Sequence, residues 1–203
     1  MLSDMLKQAD KPIMNAYSRF EMTFTVQMLD EETGKLETYS EMYGSEVMDA
    51  PNNRARIDGE IYQGHTVHFS EVMDFGNNEI VYYSITDDIC SVIAFPFNFD
   101  LNQLFIELQN YETSEIVDSL GMLTPDWSEE AFYVFVANPT DIDAFAQVFY
   151  TDVNTGDLRY IEYPGMKTFM RIDSYSELQA EDIDEELFTL QQCDATPMSD
   201  ISW

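Results

Sequence analysis

Between Arg19 and Leu29 the chain alternates strictly. Phe20, Met22, Phe24, Val26 and Met28 are separated by Glu21, Thr23, Thr25 and Gln27. Side chains repeat with a period of two on a strand, so this run predicts a β-strand with one apolar and one polar face. Asp30-Glu31-Glu32-Thr33-Gly34 reads as a hairpin turn leading into a second strand from Lys35 to about Met48. Pro51-Asn52-Asn53 marks a turn, and further strands are expected near Arg54–Tyr62, Thr66–Phe75, Ile80–Ile85 and Cys90–Ala94. The pattern then changes period. Leu101, Leu104, Phe105 and Leu108 recur at three and four residues within Asn98–Tyr111, which predicts a helix capped by Asp100 or Asn98. Ser114–Met122 reads as a second short helix ending near Gly121.

Strands return at Ala131–Ala137, where Phe132 and Val134 share a face, and at Ala144–Thr151, Leu158–Tyr163 and Lys167–Tyr175. The turn Asp152-Val153-Asn154-Thr155-Gly156 repeats the acidic start and Thr-Gly end of the Asp30–Gly34 turn. At the start of the chain, Leu2–Asn15 has helical spacing interrupted by Pro12. Near the end, Glu181–Phe188 reads as a helical turn before a short extended piece, Thr189–Cys193. Strand follows strand through tight turns, which predicts antiparallel pairing. The fold class expected is therefore α+β: a strongly curved antiparallel β-sheet, a half-barrel, with helices covering its concave face. Residues 1–203 form a single domain with a helical insert near 98–122.

Composition adds material for a large core, with 14 Phe, 12 Tyr and 12 Met. Methionine adapts to irregular apolar shapes and suits a surface that accepts varied ligands, or simply a Met-rich core. Charge narrows the partners. Thirty-nine acidic residues against nine basic ones give a formal charge of -30. Such a field repels nucleic acid and anionic membrane surfaces, so neither is expected as a partner. It keeps an apolar β protein soluble, and it also suits a cation-rich setting. No run approaches the length of an apolar membrane span, so no stable membrane insertion is expected. The N-terminus lacks the apolar core of a signal peptide.

Candidate chemistry is sparse. His65 and His68 are three apart on an expected strand, on opposite faces, and are poor joint metal ligands. Asp152–Asp157 resembles the start of a calcium loop, but its glycine is one position early and its flanks are strands. It reads as a hairpin turn with weak surface calcium binding at most. No nucleophile elbow, phosphate loop or dinucleotide fingerprint is present. Hence no catalytic residue, no metal site and no cofactor are assigned. Cys90 and Cys193 are too far apart for a metal or redox motif and are read either as buried thiols or as one long-range bridge.

Several local patterns resemble a superfamily that joins the bacterial lipoprotein carriers (LolA-like) with the ependymin-related proteins. They are the alternating strand Arg19–Leu29, the basic strand Arg54-Ala55-Arg56-Ile57-Asp58 and the tyrosine strand Asn78–Ile85 followed by Cys90. The hairpin Thr155–Tyr163 and the closing Leu187-Phe188-Thr189-Leu190…Cys193 complete them. The resemblance implies a half-barrel around an apolar cavity, a Cys90–Cys193 bridge, secretion and binding of acyl chains or other hydrophobic molecules. The chain lacks the further cysteines and glycosylation sites of ependymins, which sets it apart from their adhesive, calcium-linked role.

The function expected is non-enzymatic binding or transport of a lipid or other hydrophobic small molecule. The ligand-binding candidates are Phe20, Met22, Phe24, Val26, Met28, Phe97, Phe99, Leu104, Phe105, Leu108, Phe132 and Val134. The alternative is an acidic extracellular interaction or matrix protein with weak calcium binding.

Overall fold

A computed structural model describes residues 12–94, 99–138 and 146–190, with Ser40 described by its main chain alone. Eleven strands occur among them: β1 (Arg19–Leu29), β2 (Leu36–Asp49), β3 (Arg54–Tyr62), β4 (Thr66–Asp74), β5 (Glu79–Ser84) and β6 (Ile89–Ala94) precede one α-helix, α1 (Leu101–Gln109). After it come β7 (Val117–Leu123), β8 (Phe132–Ala137), β9 (Gln147–Asp152), β10 (Leu158–Tyr163) and β11 (Thr168–Glu177). All pair antiparallel in one sheet of order β6-β5-β4-β3-β2-β1-β11-β10-β9-β8-β7. The sheet curves like a half-barrel and does not close. Each wing is a meander of neighbours in sequence, and β1 joins the two by pairing with β2 and with β11.

The alternation of β1 explains its central place. Phe20, Met22, Phe24 and Val26 are all buried, at 4% exposure or less. Directly paired residues share a face. The register therefore runs Phe20–Met48–Ala55–Met73, then Met22–Glu46–Ile57–Glu71, then Phe24–Gly44–Gly59–Phe69 across β1 to β4 on one face, called inner here. Two register shifts in β1, at Thr23/Phe24 against β11 and at Thr25/Gln27 against β2, are bulges of the kind that bend a strand.

Helix α1 lies on the inner face. Asp100, one of the two caps expected, accepts a hydrogen bond from the Gln103 N–H at 3.0 Å and caps the helix. Leu101, Leu104, Phe105 and Leu108 are buried in the same cluster as the β1 residues, and the Phe105 ring sits 5.7 Å from that of Phe20. The Asn53 side-chain oxygen accepts from the Leu101 N–H, and Gln109 donates to the Ala16 carbonyl, so both helix ends are tied down.

Of the three other helical expectations, one is overturned, one falls mostly outside the described residues and one is met as 3-10 turns. Ser114–Met122 is not a helix: Val117–Leu123 is strand β7, whose backbone pairs with β8. Gly121 marks a bulge there at φ 76° rather than a helix end. Residues 1–11 of the expected N-terminal helix lie outside the described residues, and Pro12–Tyr17 run without helix, Asn15 donating to the Gly156 carbonyl. The turn expected at Glu181–Phe188 forms two short 3-10 segments, Ala180–Asp182 and Glu185–Phe188. They pack on the outer face, where Arg54 pairs with Glu185 and Arg56 donates to the Leu187 carbonyl. Among the described residues a single α-helix, not several, lies against the inner face. Of the last expected piece, Thr189–Cys193, residues 189 and 190 form no strand and the rest lie outside the described residues.

Candidate functional site: the inner face of the sheet

The inner face gathers most of the residues singled out by the sequence. Phe20, Met22, Phe24, Val26, Leu104, Phe105 and Leu108 are buried in one cluster, with Phe99 half-buried against it and Met28 half-buried at the end of β1. Phe97 lies outside the described residues. Phe132 and Val134 are placed elsewhere. They belong to a second buried cluster with Tyr150 and Phe169, on the outer face. On β8 it is Tyr133, Phe135 and Ala137 that point inward, while the two expected residues point outward. Both faces of β8 are apolar, which removes the alternation that would have told them apart.

The outer cluster is closed by Trp127 from the loop before β8. Its ring centre lies 4.9 Å from Tyr160, 5.2 Å from Tyr150, 5.4 Å from Phe169 and 5.8 Å from Phe132. Tyr150 donates to Glu162 beside it, and burial together with that bond pushes the phenol well above its ordinary range. Aromatic rings in mutual edge and stacked contact fill this site as packing.

The inner cluster is methionine-rich. Met22, Met48 and Met170 are buried in it, and Met14, Met42 and Met73 pack against it. Two glycines hollow the face: the Phe24 ring lies over Gly44 and the Phe69 ring over Gly59, on strands that pair at these residues. A glycine in a strand interior commonly marks a bend or close approach of another group.

One residue breaks the apolar character. Glu46 sits between Met22 and Ile57 in its row, is 6% exposed, and has no hydrogen-bond or ion-pair partner among the described residues. Burial, with the nearby Glu71 adding repulsion, pushes its carboxyl up to about 8. Glu71, two strands away in the same row, is raised as well by burial. Tyr163, inward-facing on β10, is pushed up by burial and by Glu46. The composition of so acidic a chain masked this pair: nothing in the sequence separates Glu46 from the other acids except its place between Tyr43 and Met48 on β2.

The arginines of β1, β3 and β11 lie on the other side. Asp49, 1% exposed, accepts from Arg19 and Arg54 at 2.9 and 2.8 Å and from Asn52. Burial pushes its carboxyl up, but these donors outweigh it and hold it below the usual carboxylate range. Arg56 holds Asp58, which also accepts from Ser70, and Arg171 pairs with Asp173.

The remaining candidates resolve as local structure. The outer side of Gly44 and Gly59 forms a shallow hollow of about 410 Å³ lined by Tyr43, Ser45, Asp58, Glu60 and His68. His68 stands 3.5 Å from Glu60 there, whereas His65 lies in the turn before β4 rather than on a strand. The Asp152 turn is a hairpin turn: its Oδ1 accepts from the Asn154 and Thr155 N–H groups. Asp30 does the same with Glu32 and Thr33, so the two Thr-Gly turns share one geometry. Among the described residues, no group of three or more His, Cys, Asp or Glu is placed to hold a metal ion, and no helix is long and apolar enough to cross a membrane. Cys90 lies on the outer face of β6, and its expected partner Cys193 lies outside the described residues.

No family model matches the sequence, and no curated protein matches it. Solved structures do. An uncharacterized conserved protein from Thermus thermophilus is 8% identical with a TM-score of 0.47, over 97% of this chain and 98% of that one. A putative outer membrane lipoprotein-sorting protein domain from Vibrio parahaemolyticus is 10% identical with a TM-score of 0.41, over 86% of this chain and 91% of that one. A β-barrel-like protein from Brucella abortus is 9% identical with a TM-score of 0.28, over 80% of this chain and 99% of that one.

Proposed function

We propose that this protein binds a lipid or another hydrophobic small molecule on the inner face of its open sheet, as a binder or carrier and without chemical turnover. The observation that carries this reading is the composition of that face: six methionines and the apolar row of β1 converge on one cluster. Thioether side chains repack around varied apolar shapes at little cost, which a filled, unchanging core does not need. Geometry adds to it. Eleven strands at about 4.8 Å spacing span roughly 48 Å, whereas a nine-residue helix is about 13 Å long. Among the described residues α1 is the α-helix packed on the inner face, so it covers a fraction of that width. The residues of that face are nevertheless buried, so an acyl chain or a similar guest enters by parting these side chains, and gains about 25 cal/mol per Å² of its own apolar area removed from water.

The test is direct. The purified protein is extracted with organic solvent and the extract analysed by mass spectrometry, and the stripped protein is titrated with an environment-sensitive apolar dye. Co-purified hydrophobic molecules, or saturable dye binding that Phe24→Ala and Met22→Ala weaken, are expected. An empty extract together with no saturable binding overturns the proposal.

A further inference from the structure

The inner face holds two carboxyl groups with no counter-charge among the described residues. Glu46 is over nine-tenths buried and has no hydrogen-bond partner among the described residues, and Glu71 follows two strands on in the same row. Their main chains are about 10 Å apart, within reach of two extended glutamate side chains. The groups facing them are Met22 from β1, Ile57 from β3, Tyr82 from β5 and Tyr163 from β10. None of these supplies a cation. The arginines of β1, β3 and β11 are engaged on the outer face by Asp49, Asp58, Asp173 and Glu185.

A carboxyl group buried without a donor is costly, and a sheet position that needs only packing is better served by Met or Val. A bound cation changes that balance, because an ammonium donates hydrogen bonds to both carboxylates and supplies the missing charge. The rest of the molecule favours the same ligand sign: a net charge of -30 attracts cations and repels free fatty acids and phosphorylated head groups.

We propose that the inner face takes an apolar molecule carrying a basic amine, and that Glu46, with Glu71 beside it, is the receptor of the ammonium group. This rests on the inner face being an apolar binding surface. It adds the class of head group. Binding of the ammonium ion at neutral pH converts the Glu46 carboxylic acid to its carboxylate, and the proton leaves to solvent.

Isothermal titration with dodecylamine, dodecanol and dodecanoate, each below its micelle concentration and in about 0.15 M salt to screen surface charge, separates the possibilities. Dodecylamine is expected to bind about tenfold tighter than dodecanol, one charge-assisted hydrogen bond's worth, and dodecanoate more weakly than both. Glu46→Gln should bring the amine to the level of the alcohol. Glu71→Gln should reduce the amine preference and stands in if Glu46→Gln fails to fold, and Glu60→Gln on the outer face should leave it intact. Repeating the amine titration in buffers of different ionisation enthalpy should reveal proton release in the native protein and its loss in Glu46→Gln. If dodecanol binds and the amine binds no better, or if the amine preference survives in both inner-face variants, the head-group assignment is wrong while apolar binding stands. If dodecanol itself does not bind, the apolar surface reading falls with it.

Discussion

The Phe24 ring covers Gly44 on the neighbouring strand so closely that a Cβ added at Gly44 would lie 2.5 Å from the Phe24 Cζ atom. The two residues are directly paired in the register of β1 and β2. Aromatic rings laid over strand glycines fill the gap left by the missing side chain. Gly44→Val is therefore expected to destabilise by about 2–3 kcal/mol through overpacking, and Phe24→Ala by about 3–5 kcal/mol through the cavity it leaves. The double variant should lose less than the sum, because removing the ring relieves the clash. Chemical denaturation of the three variants measures this coupling.

Glu46 predicts the pH dependence of stability. Its folded-state pKa, about 8, lies above the ordinary 4.5. Between those values the native state holds a proton that the unfolded chain has released, so stability falls as pH rises through that window and levels off above it. The full loss is about 5 kcal/mol as an upper bound. Glu46→Gln should gain over the native protein as pH is raised from about 5 to about 9, and denaturation midpoints at a series of pH values within that range read the difference. A constant difference across the range would refute the assignment.

Asp49 predicts the opposite arm. Its carboxyl is held low by Asn52, Arg54 and Arg19 despite burial. The stability it contributes is present above the unfolded value and is lost as pH falls through the folded one. Asp49→Asn leaves two arginines short of a charged acceptor and should cost about 3 kcal/mol at neutral pH, with the gap to the native protein closing in acid. Thermal melts at neutral and acidic pH test both parts.

Trp127 separates packing from binding. Trp127→Ala opens the outer aromatic cluster and should cost about 3 kcal/mol. Because its neighbours Phe132, Tyr150, Tyr160 and Phe169 face away from the inner side, binding of an apolar dye per folded molecule should be unchanged. Phe105→Ala should weaken both stability and binding.

A Cys90–Cys193 bridge would close a loop of about 100 residues and stabilise by about 4–5 kcal/mol on chain-entropy grounds. Peptide mapping without reductant should recover the two cysteines in one linked pair. Adding reductant should lower the melting temperature of the native protein and leave Cys90→Ser unaffected.

Local patterns with one structural meaning were legible in the chain. The alternation of Phe20 to Val26 predicts a strand and its buried face, and Asp100 with Leu101, Leu104, Phe105 and Leu108 predicts the helix and its cap. Ser114–Met122 was not legible as a strand. It is a short run with one buried position, Val117, and no clear period, so pairing with β8 decides its conformation.

By itself, then, the chain determined its strands other than β7, its turns and the apolar inner stripe of β1, because side-chain direction repeats every two residues whatever the neighbours are. Only the tertiary structure decided which strands meet. It put β1 between β2 and β11, turned Phe132 and Val134 outward under Trp127, and set Glu46 among Met22 and Ile57. Such placements depend on pairing register between segments distant in the chain, and a register shift of one residue would turn every one of those side chains to the other face.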